Sequence, residues 1–178
     1  MDYRLTDKNS ATIKQWYIWY TKPRAEKKVK ERLEAKGEEV FLPVYKELRQ
    51  WSDRKKWIES PLFSGYIFVR SLSSKFDSIA FTEGVLNFVR YNGKPAMLRL
   101  EEVEEIKLLL SDYQSIEVDD AMFHHGEQVK IIAGPLQGLE GEIINHKGKK
   151  RLAVRIEQLG KAILVEVPKV YVKRQLRA

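Results

Sequence analysis

Apolar positions from Trp16 onward alternate between short continuous runs and helical stripes, and each predicts one element. Trp16-Tyr17-Ile18-Trp19-Tyr20 is a run of strand-preferring residues. Pro23 stands where a helix would begin. Ala25, Val29 and Leu33 then recur at i, i+4, i+8, so they form one buried stripe on a helix that Gly37 ends. Residues 40–46 read as a second strand. The charged segment RQWSDRKKW at 49–57, with Ser52-Asp53 as its turn, predicts a projecting hairpin or loop. A third strand at 66–69, a short amphipathic helix at 74–82 stopped by Gly84, and a fourth strand at 85–91 follow. Residues 101–113 place Val103, Ile106 and Leu110 at helical spacing, with carboxylates in the first turn as the helix dipole favours. The order is β-α-β-β-α-β-α.

Residues 115–120 are acidic without clear periodicity and read as linker. Beyond Gly126 the pattern changes to short strands between glycine turns, at 129–133, 141–146, 152–157, 162–167 and 170–172. Five short strands in so few residues predict an SH3-like barrel, because closing the sheet removes exposed edges. Its first two strands flank Gly134-Pro135, which breaks the ladder. The fold class is α+β: a mobile tail at 1–14, an α/β domain at 15–113, a linker at 114–124 and a barrel at 125–178.

Charge and chemistry narrow the function. Lys and Arg number 32 against 25 Asp and Glu, a net +7, which favours a polyanionic partner. Lys28, Arg32 and Lys36 at i, i+4, i+8 make one positive ridge with Lys22 and Arg24 at its start, either a solvated face or a phosphate-binding one. Arg49, Arg54, Lys55 and Lys56 are interleaved with Trp51 and Trp57, which could add stacking to charge or fold back onto the sheet. On the third strand Tyr66 and Phe68 share one face and Ile67 and Val69 the other. The aliphatic pair suits a core, leaving the aromatics on a face that Tyr20 could share. There is no cysteine, no leader-like apolar run and no membrane-length segment, so a cytoplasmic protein is expected. His124-His125 and His146 lack zinc-site spacing, and no catalytic or phosphate-loop pattern occurs. Neither enzyme chemistry, a metal nor a cofactor is expected.

Four segments match one family in order and spacing: WYIWYTKPRAEKKVKERL at 16–33, LPVYKELRQWSDRKKW at 42–57, PLFSGYIFV at 61–69, and VKIIAGPLQGLEGEI at 129–143, which looks like a KOW motif. Together they resemble the NusG family of transcription elongation factors, in particular specialised RfaH-like paralogues of surface-polysaccharide operons. Ser64 departs from the family, which usually has proline after the Phe of PLF. The resemblance implies a ferredoxin-like N-terminal NGN domain tethered to a C-terminal KOW barrel, acting as a monomeric antitermination factor. It implies that Tyr20, Phe63, Tyr66 and Phe68 form a hydrophobic cavity for the clamp helices of the largest RNA polymerase subunit. It places Lys22, Arg24, Lys28, Arg32 and Lys36 near upstream DNA and the non-template strand, and the turn of Gly134, Pro135, Leu136 and Gly138 against ribosomal protein S10 or the termination factor Rho. Leu136 reads either as that partner's anchor or as a cap on the barrel. The alternative function is that of a ribosomal-type KOW protein binding structured RNA.

Overall fold

The computed structural model describes residues 12–50, 54–112, 116–120 and 126–175. The chain divides into two compact units, residues 1–103 and 104–178. Up to residue 11, the expected tail lies outside the described residues.

The first unit contains β1 (Gln15–Thr21), α1 (Glu26–Ala35), β2 (Glu39–Phe41), β3 (Val44–Gln50), β4 (Lys55–Pro61), β5 (Tyr66–Ser71), α2 (Phe76–Ala80), β6 (Val85–Phe88), β7 (Arg90–Tyr91), β8 (Lys94–Pro95) and β9 (Met97–Leu98). Its main sheet runs β2-β5-β1-β6 with every pair antiparallel, and β9 pairs with the start of β1. Alternation along β1 sends Tyr17 and Trp19 to one face, where they join Ile67 and Val69 of β5. That layer packs on Val29 and Leu33 of α1 and on Phe76 and Ile79 of α2. Phe76 meets Tyr17 and Trp19 edge to face at centroid distances of 4.7 and 5.1 Å. The aliphatic pair of β5 therefore faces the helices, as its period of two suggests.

Three local expectations change. The single strand at 40–46 is two strands, β2 and β3, parted at Leu42-Pro43. Pro43 has no N–H for a ladder, and its carbonyl instead accepts from Leu62. The strand at 85–91 breaks at Val89, whose N–H bonds Ile18 and whose carbonyl accepts from Ala96. Helix α1 begins at Glu26; Pro23 and Arg24 form the turn before it, with Arg24 at φ 64°.

Helix α3 (Leu100–Asp112) carries buried Val103, Ile106 and Leu109, so Leu109 rather than Leu110 completes its apolar stripe. In the second unit β10 (Ile116–Asp120), β11 (Glu127–Ile131), β12 (Glu140–His146), β13 (Lys149–Ile156), β14 (Lys161–Val165) and β15 (Val172–Arg174) form one antiparallel sheet in the order β10-β14-β13-β12-β11-β15. β10 corrects residues 116–120 of the linker expected at 114–124, where Ile116 and Val118 lie opposite Val165 and Ile163 of β14; the remaining residues of that linker lie outside the described ones. The period of two was present there, but the carboxylates between the apolar residues hid it. Val170 also leaves the expected last strand, lying 78% exposed in a single turn of 3-10 helix. Among the described residues no helix is long and apolar enough to cross a membrane.

Candidate functional site

The second face of the main sheet carries the aromatic residues. Tyr20 of β1 and Tyr66 of β5 are directly opposite in the register, their ring centroids 5.0 Å apart. Tyr20 is 39% exposed and Tyr66 half-buried. The other two members of the expected cavity are buried, Phe63 at 1% and Phe68 at 0% exposure, which corrects the expectation that Phe68 lies exposed on the face it shares with Tyr66. Phe63 turns its edge to Phe68 at 6.0 Å, and Phe41 of β2 covers Phe68 at 5.9 Å while meeting Trp16 at 6.3 Å. Burying a Phe side chain is worth about 1.5–3 kcal/mol, so a chain that can close over two of them does so. The face offers two partly exposed tyrosines beside a buried aromatic cluster.

Glu26 holds that corner together, and sequence reading passed it over. Its carboxylate is 4% exposed at the first turn of α1, where the helix dipole favours negative charge, and its Oε1 accepts the Gly65 N–H at 2.7 Å. Gly65 in turn accepts from Thr21 N–H at 2.8 Å. The loop around Ser64 is pinned by these bonds.

The basic ridge divides into two groups. Arg32 donates to the Glu83 carbonyl at 2.8 Å and pairs with its carboxylate at 2.7 Å, while Lys36 donates to the Ser78 carbonyl and Thr82 Oγ1. These two tie α1 to α2 and the segment that follows it, so their charges already have partners within the chain. Lys22, Arg24 and Lys28 are exposed. Arg24 and Lys28 line a groove of about 760 Å³ whose far wall is Tyr45, Glu59, Ser60 and Pro61 at the base of the β3–β4 hairpin. Across it Lys27 Nζ lies 3.7 Å from Glu59. The hairpin pairs with no other strand among the described residues, and Trp57 is 64% exposed rather than folded onto a sheet. Trp51, Ser52 and Asp53 lie outside the described residues.

In the second unit Gly134, Pro135 and Gly138 are exposed, but Leu136 is 1% exposed and belongs to the core. The turn folds inward because Gly138 N–H bonds the Ile131 carbonyl and Leu139 N–H the Leu136 carbonyl. Gly134 sits at φ 80°, and a Cβ there would lie 2.8 Å from the Tyr171 ring. On β10, burial raises the pKa of Glu117, but Arg151, Lys147 and His146 outweigh it, holding the carboxyl below its ordinary value. Arg151 is 7% exposed and bridges Glu117 and Glu166 at 3.4 and 3.2 Å. His146 lies 3.4 Å from both Glu117 and Asp119, whereas His124 and His125 fall outside the described residues.

This arrangement presents surfaces for contact: a tyrosine pair, a basic groove and an exposed hairpin. The family model described as "Transcription termination factor nusG" matches residues 14–107. A transcription termination/antitermination protein NusG from Halalkalibacterium halodurans is 30% identical over 172 residues, covering 86% of this chain and 94% of the relative. The protein of that name from Rickettsia typhi is 26% identical over 169 residues, covering 87% of each. Among solved structures, "Domain interaction in Thermotoga maritima NusG" is similar at a TM-score of 0.52 and 26% identity, covering 92% of this chain and 98% of that one. The chain therefore belongs to the NusG family, and it is a transcription termination/antitermination factor rather than an enzyme.

Proposed function

We propose that the first unit is a ferredoxin-like polymerase-binding domain and that Tyr20 and Tyr66 are its exposed contacts with the clamp helices of the largest RNA polymerase subunit. The observation that carries this reading is the tyrosine pair itself, two large rings side by side on a strand face whose neighbours Phe63 and Phe68 are sealed. Aromatic side chains give much contact area for little lost freedom, which suits a hot spot. Lys22, Arg24 and Lys28 then neutralise phosphates of upstream or non-template DNA. Bridging clamp and DNA favours the elongating conformation over paused ones, and this requires only differential binding to the two states. The second unit is an SH3-like KOW barrel that recruits ribosomal protein S10 or Rho through the exposed Gly134, Pro135 and Gly138 side of its turn. The projecting hairpin supports a specialised, operon-specific paralogue. Pull-down of core RNA polymerase from the native host tests the reading: the wild-type chain retains polymerase, and the Tyr20→Ala/Tyr66→Ala variant loses most of it. Equal retention by both would remove the tyrosine pair from the interface.

A further inference from the structure

Leu48 and Trp57 are a directly opposed cross-strand pair on the β3–β4 hairpin, and both are exposed, at 48% and 64%. Direct opposition puts them on one face of the ribbon, with Lys46 and Glu59 opposed on one side of them and Gln50 and Lys55 on the other. Lys46 and Lys55 are exposed and have no carboxylate partner among the described residues. This face is continuous with the groove beside α1, because Glu59 lines that groove and reaches Lys27 across it, with Arg24 and Lys28 on the same wall. We infer that the hairpin face and the groove form one track for single-stranded DNA, a base stacking on Trp57 and phosphates lying on Lys46, Lys55, Arg24 and Lys28. The chemistry favours a strand over a protein partner: an exposed indole accepts the face of any base, and cations on both sides of it suit a backbone that passes across. A duplex keeps its bases stacked on one another and offers Trp57 no face. The inference rests on the DNA contact proposed above and extends it to a stacking residue on the hairpin.

The test measures binding of a fluorescein-labelled fifteen-nucleotide dT strand to the full chain by anisotropy, in parallel with polymerase pull-down. Trp57→Ala weakens strand binding about 5- to 150-fold with an unchanged salt slope, and Trp57→Phe restores most of it. Lys46→Ala/Lys55→Ala instead lowers the log–log salt slope by about 0.7 for each phosphate no longer neutralised. Polymerase retention is unchanged in all three. The inference is overturned if Trp57→Ala binds the strand as wild type does, if wild type binds no strand while still retaining polymerase, or if Trp57→Ala loses polymerase instead, which would make the ribbon a protein contact. Tighter binding of the equivalent rU strand would overturn the choice of DNA.

Discussion

Tyr20 and Tyr66 lie opposite each other on adjacent antiparallel strands with ring centroids 5.0 Å apart, while Phe68, two residues along β5 on the same face, and Phe63 are almost fully buried. Residues of one apparent cluster thus divide between partly exposed and buried. Tyr20→Ala and Tyr66→Ala are each expected to weaken polymerase binding by roughly 1–3 kcal/mol with little change in thermal midpoint. Phe68→Ala should destabilise the first unit by about 3–5 kcal/mol, as loss of a buried Phe does. Thermal melts alongside pull-downs separate the two, and a Phe68→Ala chain that melts like wild type would contradict its burial.

Among the basic residues, Lys22, Arg24 and Lys28 are exposed while Arg32 is paired with Glu83. Replacing Lys22, Arg24 and Lys28 by Ala should lower the salt slope of single-stranded DNA binding by up to about 0.7 for each phosphate left without its cation. Arg32→Ala should leave that slope alone and cost about 1 kcal/mol or less of stability, because its partner Glu83 is largely exposed. A reduced salt slope in Arg32→Ala would return this residue to the DNA interface.

At the turn of the second unit, Leu136→Asp places a charge at a site 1% exposed. The full chain should lose a few kcal/mol, seen as a fall of about 10 °C or more in the transition of this unit. An unshifted transition would show that Leu136 can reach solvent and would revive it as a partner anchor.

β10 makes the second unit longer than the barrel read from the sequence. A fragment of residues 115–178 should therefore be more stable than one of residues 126–178, which leaves Ile163 and Val165 of β14 without the strand opposite them. Denaturant unfolding of the two fragments decides it. Equal midpoints would reduce β10 to a passive connection.

Glu117 gives a pH dependence of known sign. Its folded pKa lies below the ordinary 4.5, so its contribution is present above that value and is lost as pH falls through the folded pKa. Glu117→Gln should lower the thermal midpoint at pH 7, and the gap from wild type should close as the pH drops below 4.5. A gap that stays constant down to pH 3 would mean that the carboxylate's charge is not what Arg151 stabilises.

Sequence by itself determined the elements that announce their own period: β1, the Val29 and Leu33 stripe of α1, the division of Ile67 and Val69 from Tyr66 and Phe68, and the glycine-punctuated strands after Gly126. Each is a local repeat of 2 or 3.6 residues, and a local repeat needs no partner to be seen. Tertiary structure alone decided which side chains stay exposed. Phe68 looks like a surface aromatic until Phe41 and Phe63, 27 and 5 residues before it in the chain, close over it. Leu136 looks like a loop tip until the Gly138 N–H bonds the Ile131 carbonyl and the Leu139 N–H bonds the Leu136 carbonyl, turning it inward, and Arg32 looks like a free cation until Glu83 lies beside it. β10 has the same origin, since its acidic residues read as linker until Arg151 and Lys161 stand opposite them. Burial and charge pairing are properties of residues distant in sequence brought together by the fold, and no spacing along one segment encodes them.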